Sequence, residues 1–291
     1  MRSLLFVPAD GGKKLDKALA SGADAVIIDL EDSIAPERKV AARQTAASFL
    51  HEAVKIAIRP RLLVRVNGLQ TGLTDDDLDA IVPGRPDAIM LPKAEGGASV
   101  IHTDAKLTAR EAIHGLDDGH IRIVAIATET AAALFLAGTY AGASQRLMGL
   151  TWGAEDLSAE LGAETNRDSD GHFLDPYRLA RALCLAGAAS AKVEAIDTVY
   201  VDYRNDDGLR RECEHARRDG FTGKMAIHPA QVPAINAVFT PTAQALATAQ
   251  AIVAAFAAAP GAGTVGLNGV MYDRPHLARA MRMLAQAHIR T

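Results

Sequence analysis

The sequence is poor in aromatic residues and has no surplus of positive charge. Phe, Trp and Tyr make up 4% of the 291 residues, whereas apolar residues as a whole make up 49%, so Ala, Leu, Val and Ile must fill most of the core. The formal net charge is -4, whereas a nucleic-acid-binding face needs clustered Lys and Arg. Nucleic acid is therefore excluded as the main partner.

Signals for disulfides and for membrane segments are also missing. Cys184 and Cys213 are isolated and have no metal-ligand spacing, which fits a reducing compartment. The opening apolar stretch, Ser3 to Pro8, is too short for the core of a signal peptide. No run reaches the roughly 18 apolar residues that a membrane span needs. We expect a cytoplasmic protein without a membrane partner.

Eight short apolar runs, rich in β-branched residues, alternate with segments of helical periodicity. This alternation predicts βαβ units and a parallel sheet. Eight repeats favour a closed (β/α)8 barrel over a doubly wound sheet, which usually stops at about six strands. The predicted strands are Leu4 to Val7, Ala25 to Leu30, Leu62 to Val66, Ala88 to Leu91, Arg122 to Ala127, Arg146 to Leu150, Thr198 to Val201 and Lys224 to Ile227.

Two successive runs stop at carboxylates. The run that begins at Ile123 ends at Glu129, and the run that begins at Leu147 ends at Glu155 and Asp156. In a barrel, the carboxyl ends of the strands form the catalytic face. Acidic oxygens on neighbouring strands indicate a site for a hard cation. The alternative is that these residues only stabilise the first turns of the helices that follow.

Most of the other runs also end in polar residues, each with an alternative role. Arg65 could bind a substrate oxygen or form a structural ion pair with Glu31 or Asp32. Lys93 could form a Schiff base, as in some aldolases, although a metal site would make this redundant. His228 is expected to be a packed or hydrogen-bonded rim residue rather than a catalytic base. The polar strand ends are Asp29 to Asp32, Arg65 to Asn67, Lys93 to Glu95, Asp202 and His228.

The chain changes in texture after the eighth run. Pro233 to Ala237, an Ala-rich stretch from Pro241 to Ala259, and Leu277 to His288 have helical character. An unusual Tyr-Asp-Arg-Pro sequence, beginning at Tyr272, is interpreted as a turn. We expect a barrel domain over residues 1–232 and a helical lid or oligomer-contact segment over residues 233–291.

Motifs spread along nearly the whole chain support a family resemblance. Together and in this order, they resemble the citrate lyase β-subunit-like enzymes of the HpcH/HpaI aldolase/citrate lyase superfamily, which is related to the malyl-CoA lyases. The motifs are Arg2 to Pro8, Gly22 to Asp32, Lys39 to Arg43, Arg65 to Asn67, Pro86 to Lys93, Glu129 and Thr130, Gly153 to Leu157, Lys224 to Pro229 and Gly269 to His276.

The resemblance implies a (β/α)8 barrel that assembles as a homotrimer or hexamer. It assigns Mg2+, with Mn2+ as the alternative ion, to Glu129 and Asp156. Arg65 would contact the thioester or carboxylate oxygen, with Asp29, Glu31 and Asp32 orienting it. Asp273 would transfer a proton, often from a neighbouring subunit. Further substrate contacts are expected from Gly153, Ala154 and Glu155, whose helix start could hold a carboxylate. CoA contacts are expected from Lys13, Lys14 and Lys17, with Lys39 and Arg43 as further phosphate partners; the alternative is that these basic residues only form solvated helix faces.

The activity implied is a carbon–carbon lyase acting on a 3-hydroxyacyl thioester such as citryl-CoA, malyl-CoA or citramalyl-CoA, on CoA or on an acyl carrier. Such chemistry needs a Lewis acid for the hydroxyl and a charged donor for the enolate oxygen. The alternatives are a thioesterase that uses the same site, a class II aldolase of the pyruvate type, and a weakly active subunit of a citrate lyase complex.

Overall fold

The computed structural model describes residues 1–288, which divide into two compact units, Met1–Asn236 and a second that begins at Ala237. Eight parallel strands of the first unit close into a barrel, because β8 pairs with β1. The predicted (β/α)8 fold is therefore confirmed. The strands are β1 Ser3–Pro8, β2 Ala25–Asp29, β3 Arg61–Arg65, β4 Ala88–Leu91, β5 Arg122–Ile126, β6 Leu147–Thr151, β7 Glu194–Asp197 and β8 Gly223–Ala226.

Helices separate the strands and continue into the second unit. The helices are α1 Gly12–Leu19, α2 Lys39–Ala53, α3 Thr74–Ile81, α4 Gly96–Ile113, α5 Ala131–Leu136, α6 Ala154–Leu161, α7 Asp175–Ala191, α8 Asp206–Asp219, α9 Val232–Phe239, α10 Ala243–Ala258 and α11 Arg274–His288. None of those within the described residues has both the length and the apolar character that a membrane crossing requires.

Alternate residues of the strands point inward and fill the barrel. This packed interior leaves the rim at the carboxyl ends of the strands as the place for a binding site. The buried cluster consists of Leu4, Ala25, Ile27, Leu63, Ala88, Met90, Val124, Ile126, Ile196 and Met225.

The prediction for the seventh strand is wrong. The strand is Glu194–Asp197, and the predicted run, Thr198 to Val201, follows it as a loop. Charged residues at both ends hid the strand from a search for apolar runs. The structure pairs each of them with a distant cation, Glu194 with the Met1 α-amine at 2.8 Å and Asp197 with Lys224 at 2.8 Å.

The second unit contains a hairpin that the sequence analysis missed. Strands β9 Thr264–Leu267 and β10 Val270–Asp273 pair antiparallel around Asn268 and Gly269, whose φ angles are 51° and 78°. Asn-Gly is the preferred pair for a tight hairpin turn with two positive φ angles. The predicted turn over Tyr272 to Pro275 is therefore wrong, because β10 ends at Asp273 and α11 starts at Arg274.

Candidate active site

A cavity of about 450 Å3 opens among the carboxyl ends of the strands. It brings together eight of the residues predicted for the site. Those eight are Asp29, Asp32, Arg65, Glu129, Gly153, Ala154, Glu155 and Asp156, and Ser33, Thr198 and several apolar side chains complete the lining.

Arg65, the last residue of β3, is fixed by carboxylates that follow β2. Its Nε and Nη2 each lie 2.7 Å from an oxygen of Asp29. Its Nη1 lies 2.9 Å from Glu31 and 3.5 Å from Asp32, so the ion pairs offered as the alternative role are present. Burial opposes a charge on Arg65, but the Asp29 hydrogen bonds outweigh it and raise the pKa of the guanidinium. A permanently charged, immobile donor therefore faces the cavity.

Lys93 is the residue at this rim that the sequence analysis undervalued. Its ammonium lies 2.5 Å from Glu31 and 3.1 Å from Asp156, and its backbone N–H donates to Glu129 at 2.6 Å. Its φ angle is 50°, a left-handed conformation that a lysine rarely adopts. Lys93 thus links the carboxylates after β2, β5 and β6. The ion pairs also raise the pKa of its ammonium against the effect of burial, so a neutral Schiff-base amine is disfavoured.

Glu129 is 3% exposed, and its carboxylate accepts a hydrogen bond from the Lys93 N–H. Burial, together with the negative charge of Asp156, raises the pKa of Glu129 to about 8 despite that hydrogen bond. Gly153 makes room for the side chain, because a Cβ at that position would lie 2.8 Å from Glu129 Cγ. A buried carboxylate with so few donors is poised to accept a cation.

The rim carries more acidic than basic side chains. Burial raises the pKa of Glu31, and its Oε2, although near Arg65, makes no aligned hydrogen bond. Three cations, Arg65, Lys93 and Lys39, interact with five acidic side chains. These five are Asp29, Glu31, Asp32, Glu129 and Asp156. This imbalance favours binding of a further positive charge.

Several residues predicted at the strand ends are not among those that line the cavity. Asp202 is exposed in the loop that follows β7, and β7 itself ends at the buried Asp197. His228 is exposed, stacks on Tyr203 at 4.9 Å and accepts a hydrogen bond from the Ala230 N–H, so it caps the turn after β8. Asn67 is buried and donates to Asp77 at 2.7 Å.

The basic residues considered as phosphate partners fall into two groups. Lys39 donates to the carbonyls of Leu30 and Glu31 and to Asn67, each at 2.8 Å, and Arg43 forms a buried ion pair with Asp77, so both of these are structural. The second group is exposed on α1 and consists of Lys13, Lys14 and Lys17. Asp273 lies in the second unit, where its carboxylate interacts with His276.

Part of the cavity wall is apolar and was not predicted. Phe6 follows the inward pattern of β1, and Ile126 and Met225 belong to the barrel interior. Trp152, the single tryptophan of the chain, directly follows β6 and was treated only as part of an apolar run. Its position immediately before Gly153 was the available signal.

The barrel and its acidic rim place this chain among the (β/α)8 enzymes that carry their chemistry at the carboxyl ends of the strands. Residues 2–229 match the sequence model of the HpcH/HpaI aldolase/citrate lyase family, and the chain belongs to that family. By family and site, it is a metal-dependent lyase.

Similar proteins cover almost the whole chain. The citrate lyase β subunit of Escherichia coli K12 is 34% identical over 290 residues, which are 99% of this chain and 93% of that protein. A (3S)-malyl-CoA thioesterase of Cereibacter sphaeroides KD131 is 35% identical, with 98% and 94% covered. Protein CitE of Mycobacterium tuberculosis, solved with magnesium, acetoacetate and coenzyme A, superposes with a TM-score of 0.78 at 34% identity, with 99% and 98% covered.

Proposed function

We propose that this chain cleaves or forms the carbon–carbon bond of a 3-hydroxyacyl thioester such as citryl-CoA, malyl-CoA or citramalyl-CoA. The products of cleavage are acetyl-CoA, or another acyl thioester, and an α-keto acid or aldehyde. The observation that carries the proposal is one cavity lined by Arg65, Glu129 and Asp156. It offers a cation site and a fixed cationic donor to the same small molecule.

The residues present fit Mg2+, with Mn2+ as the alternative. Glu129 and Asp156 would hold the ion, and two carboxylates leave coordination positions for water and substrate. Gly153 and the poorly satisfied oxygens of Glu129 and Glu31 favour a cation here. Asp168, Asp170 and His172 also form a cluster, but all three are exposed, whereas Glu129 is buried. When bound, Mg2+ acts as a Lewis acid on the hydroxyl and carboxylate oxygens of the substrate.

Arg65 would stabilise the charge that develops on the thioester oxygen. Its bidentate contact with Asp29 uses two of the five guanidinium N–H groups and fixes the plane of the fork. Glu31 and Asp32 hold the other end near the cavity without covering it, since Asp32 also lines the cavity. The donor is therefore oriented before the substrate arrives, as in an oxyanion hole.

Asp273 is proposed as the group that transfers a proton at the α-carbon. Its contact with His276 lowers the pKa of the carboxyl, so the group is a carboxylate at neutral pH. We expect Asp273→Asn to lower turnover by about 10²- to 10⁴-fold without weakening binding of Mg2+.

If the base comes from a neighbouring subunit of a homotrimer or hexamer, two inactive variants should complement each other. Asp273→Asn and Glu129→Gln proteins, unfolded, mixed and refolded together, would regain part of the parent activity through sites that combine one intact residue from each chain. Oligomers without any recovery would place both residues in one subunit.

For CoA, we propose phosphate contacts from Lys13, Lys14 and Lys17, which extend into solvent from α1 after β1. Lys13→Glu and Lys14→Glu should raise KM for the CoA thioester but not for the matching pantetheine thioester, which has no nucleotide. An equal rise for both thioesters would argue against phosphate contact.

A second candidate, a hydroxyacyl-CoA thioesterase, is favoured by the 35% identity with the malyl-CoA thioesterase over 98% of this chain. One assay separates the two. The purified protein is incubated with Mg2+ and each hydroxyacyl thioester, and free thiol and α-keto acid are measured together. A lyase releases keto acid with the thioester intact, whereas a thioesterase releases free thiol. Activity that survives EDTA would contradict both candidates.

A further inference from the structure

A closed circuit of contacts fixes the only tryptophan of the chain against the cavity. Trp152 is fully buried, and it lines the cavity just before the acidic residues that follow β6. Its indole N–H donates to Asp197 at 2.9 Å. The wall of the cavity is therefore tied to a charged group inside the barrel.

Asp197 belongs to a buried ion pair for which the proposed reaction has no use. Its other oxygen accepts from Lys224 at 2.8 Å, and both side chains have an exposure of 1% or less. Arg181 Nε also donates, at 3.3 Å, to the Asp197 oxygen that accepts from the indole. Such a pair often contributes little stability compared with apolar residues of the same size. Its contact with the indole gives it a second role, because it fixes the orientation of a large side chain beside the substrate.

The circuit continues outward from Lys224. Its ammonium also donates to Glu212 on α8 at 2.7 Å, and the other oxygen of Glu212 lies 2.9 Å from Arg167. The Arg167 guanidinium stacks over the Phe173 ring at 3.6 Å. Phe173 closes the circuit, since its ring meets the Trp152 indole edge-on with centroids 5.0 Å apart.

Arg167 and Phe173 lie in residues 162–174, here called the rim segment, which connects α6 with α7. Because α6 begins directly after β6, and α7 ends only two residues before β7, the rim segment lies on the carboxyl-end side of the barrel. Asn166 of this segment donates to Glu155, which also lines the cavity, at 2.8 Å. The rim segment thus contacts two lining residues.

We propose that Trp152 determines the size of the acid half of the substrate that the cavity accepts, and that the Asp197–Lys224–Glu212–Arg167–Phe173 circuit positions its indole. This inference rests on the proposed function, because it assigns this wall to the keto-acid product. A rigid, buried indole leaves no space on this side of the cavity for longer or branched acids. One methylene in an apolar pocket changes selectivity by about 10- to 200-fold.

Binding of keto acids tests the wall without any turnover. Calorimetry in the presence of Mg2+ would compare glyoxylate, pyruvate, 2-oxobutyrate and 2-oxovalerate on the parent, Trp152→Phe and Trp152→Leu. We expect the parent to favour the short acids and Trp152→Leu to shift the ratio of affinities towards the longer acids by at least about tenfold. Unchanged ratios in both variants, or no binding of any acid by the parent, would overturn the inference.

The same comparison separates this inference from the proposed function. A shift of the ratios in a protein that turns over no thioester would leave the wall assigned and the reaction wrong. Turnover of a thioester with unchanged affinity ratios would support the reaction and exclude Trp152 from setting the size of the acid. If Trp152→Leu does not fold, Phe173→Leu reduces the contact behind the indole and is expected to shift the ratios in the same direction by a smaller factor.

The positioning role is tested by the emission of the single tryptophan. Glu212→Gln breaks the circuit, and Glu214→Gln, an exposed position on the same helix, is its matched control. We expect Glu212→Gln to shift the Trp152 emission to the red and to raise KM severalfold with little change in kcat, whereas Glu214→Gln alters neither. Parent-like emission and KM in Glu212→Gln would exclude the circuit from positioning the indole.

Discussion

Each end of the barrel carries a cluster of acidic side chains around an arginine. The cluster at the carboxyl end belongs to the candidate active site, whereas the cluster at the amino end stabilises the fold. At the amino end of β6, Arg146 contacts Asp104, Glu111 and Asp118. The buried Glu111 there also accepts from the backbone N–H groups of Gly119 and Ile121 at 3.0 and 2.7 Å. At this end, a buried carboxylate has its full set of donors.

The amino end of the barrel is here called the base, and the rim at the carboxyl ends of the strands is called the mouth. The buried carboxylate at the mouth has fewer hydrogen-bond donors than the one at the base. Glu129 is about as buried as Glu111, yet the Lys93 N–H is its one hydrogen-bond donor in the described part of the chain. Burial and the negative charges of Asp156 and Glu31 raise the pKa of Glu129, and this single hydrogen bond does not offset them. Burial of charge therefore does not mark a functional site; incomplete satisfaction of that charge does.

The largest expected effect comes from exchanging these two glutamates for glutamine. Glu129→Gln removes a proposed metal ligand, so we expect turnover to fall by about 10³-fold or more with stability equal to or above that of the parent. Glu111→Gln should keep turnover per folded molecule and lower the free energy of unfolding by about 3 kcal/mol, because it breaks a buried pair. Steady-state kinetics and thermal unfolding of both variants give the comparison. It fails if both variants lose the same property.

Substitution of Arg65 should mainly lower activity and substitution of Arg146 should mainly lower stability, with smaller losses than for the two glutamates. Arg65→Lys keeps the charge but loses the planar fork that Asp29 holds, so we expect kcat/KM to fall by about 10²- to 10³-fold. Arg146→Lys loses several of its contacts and should lower the melting temperature while leaving kcat/KM near that of the parent. A large loss of activity in Arg146→Lys would show that the base of the barrel also controls the chemistry.

The sequence predicted the mouth better than the base, and the reason is geometric. Residues at the ends of parallel strands meet at one rim whatever their separation along the chain, so Asp29, Arg65, Glu129 and Asp156 could be grouped from strand ends alone. The base cluster joins Arg146 to α4 and to the turn that follows it. No strand rule brings those residues together.

The parts of the site that sequence patterns missed depend on contacts rather than on strand ends. The left-handed backbone of Lys93 directs both its N–H and its ammonium at carboxylates, and a strand pattern gives no sign of that conformation. The predicted seventh strand lay too far along the chain, because the charges at both ends of the actual strand are neutralised only in the folded barrel. The Asn268–Gly269 hairpin, in contrast, had a recognisable local signal that was overlooked.

The pH dependence of metal binding provides a further test of the difference between Glu129 and Glu111. Glu129 titrates near 8 in the native protein and at its ordinary value of 4.5 in the unfolded chain. Between these values the native state binds the extra proton, so the free energy of unfolding of the metal-free protein falls as pH rises. A cation competes with that proton, so the apparent affinity for Mg2+ should rise from pH 6 to pH 8 by up to about tenfold per pH unit.

Calorimetry in two buffers of different ionisation enthalpy measures the proton release directly. Close to one proton per ion is expected at pH 7 in the parent and in Glu111→Gln, since that variant retains Glu129. Binding without proton release would mean that Glu129 is already ionised or is not a ligand.

The smallest expected effect concerns two lysines with left-handed backbones, Lys93 at the mouth and Lys192 at the base, where α7 ends. Glycine adopts this conformation without strain, so Lys192→Gly should raise the free energy of unfolding by about 0.5–1 kcal/mol. Lys93→Gly relieves the same strain but leaves Glu31 and Asp156 without their shared ammonium, so its net change should be negative. Chemical denaturation of both variants, with and without Mg2+, measures these free energies of unfolding. Added Mg2+ should stabilise Lys93→Gly more than Lys192→Gly, because the ion supplies the missing positive charge. Equal responses would mean that Lys93 stabilises the mouth through its backbone alone.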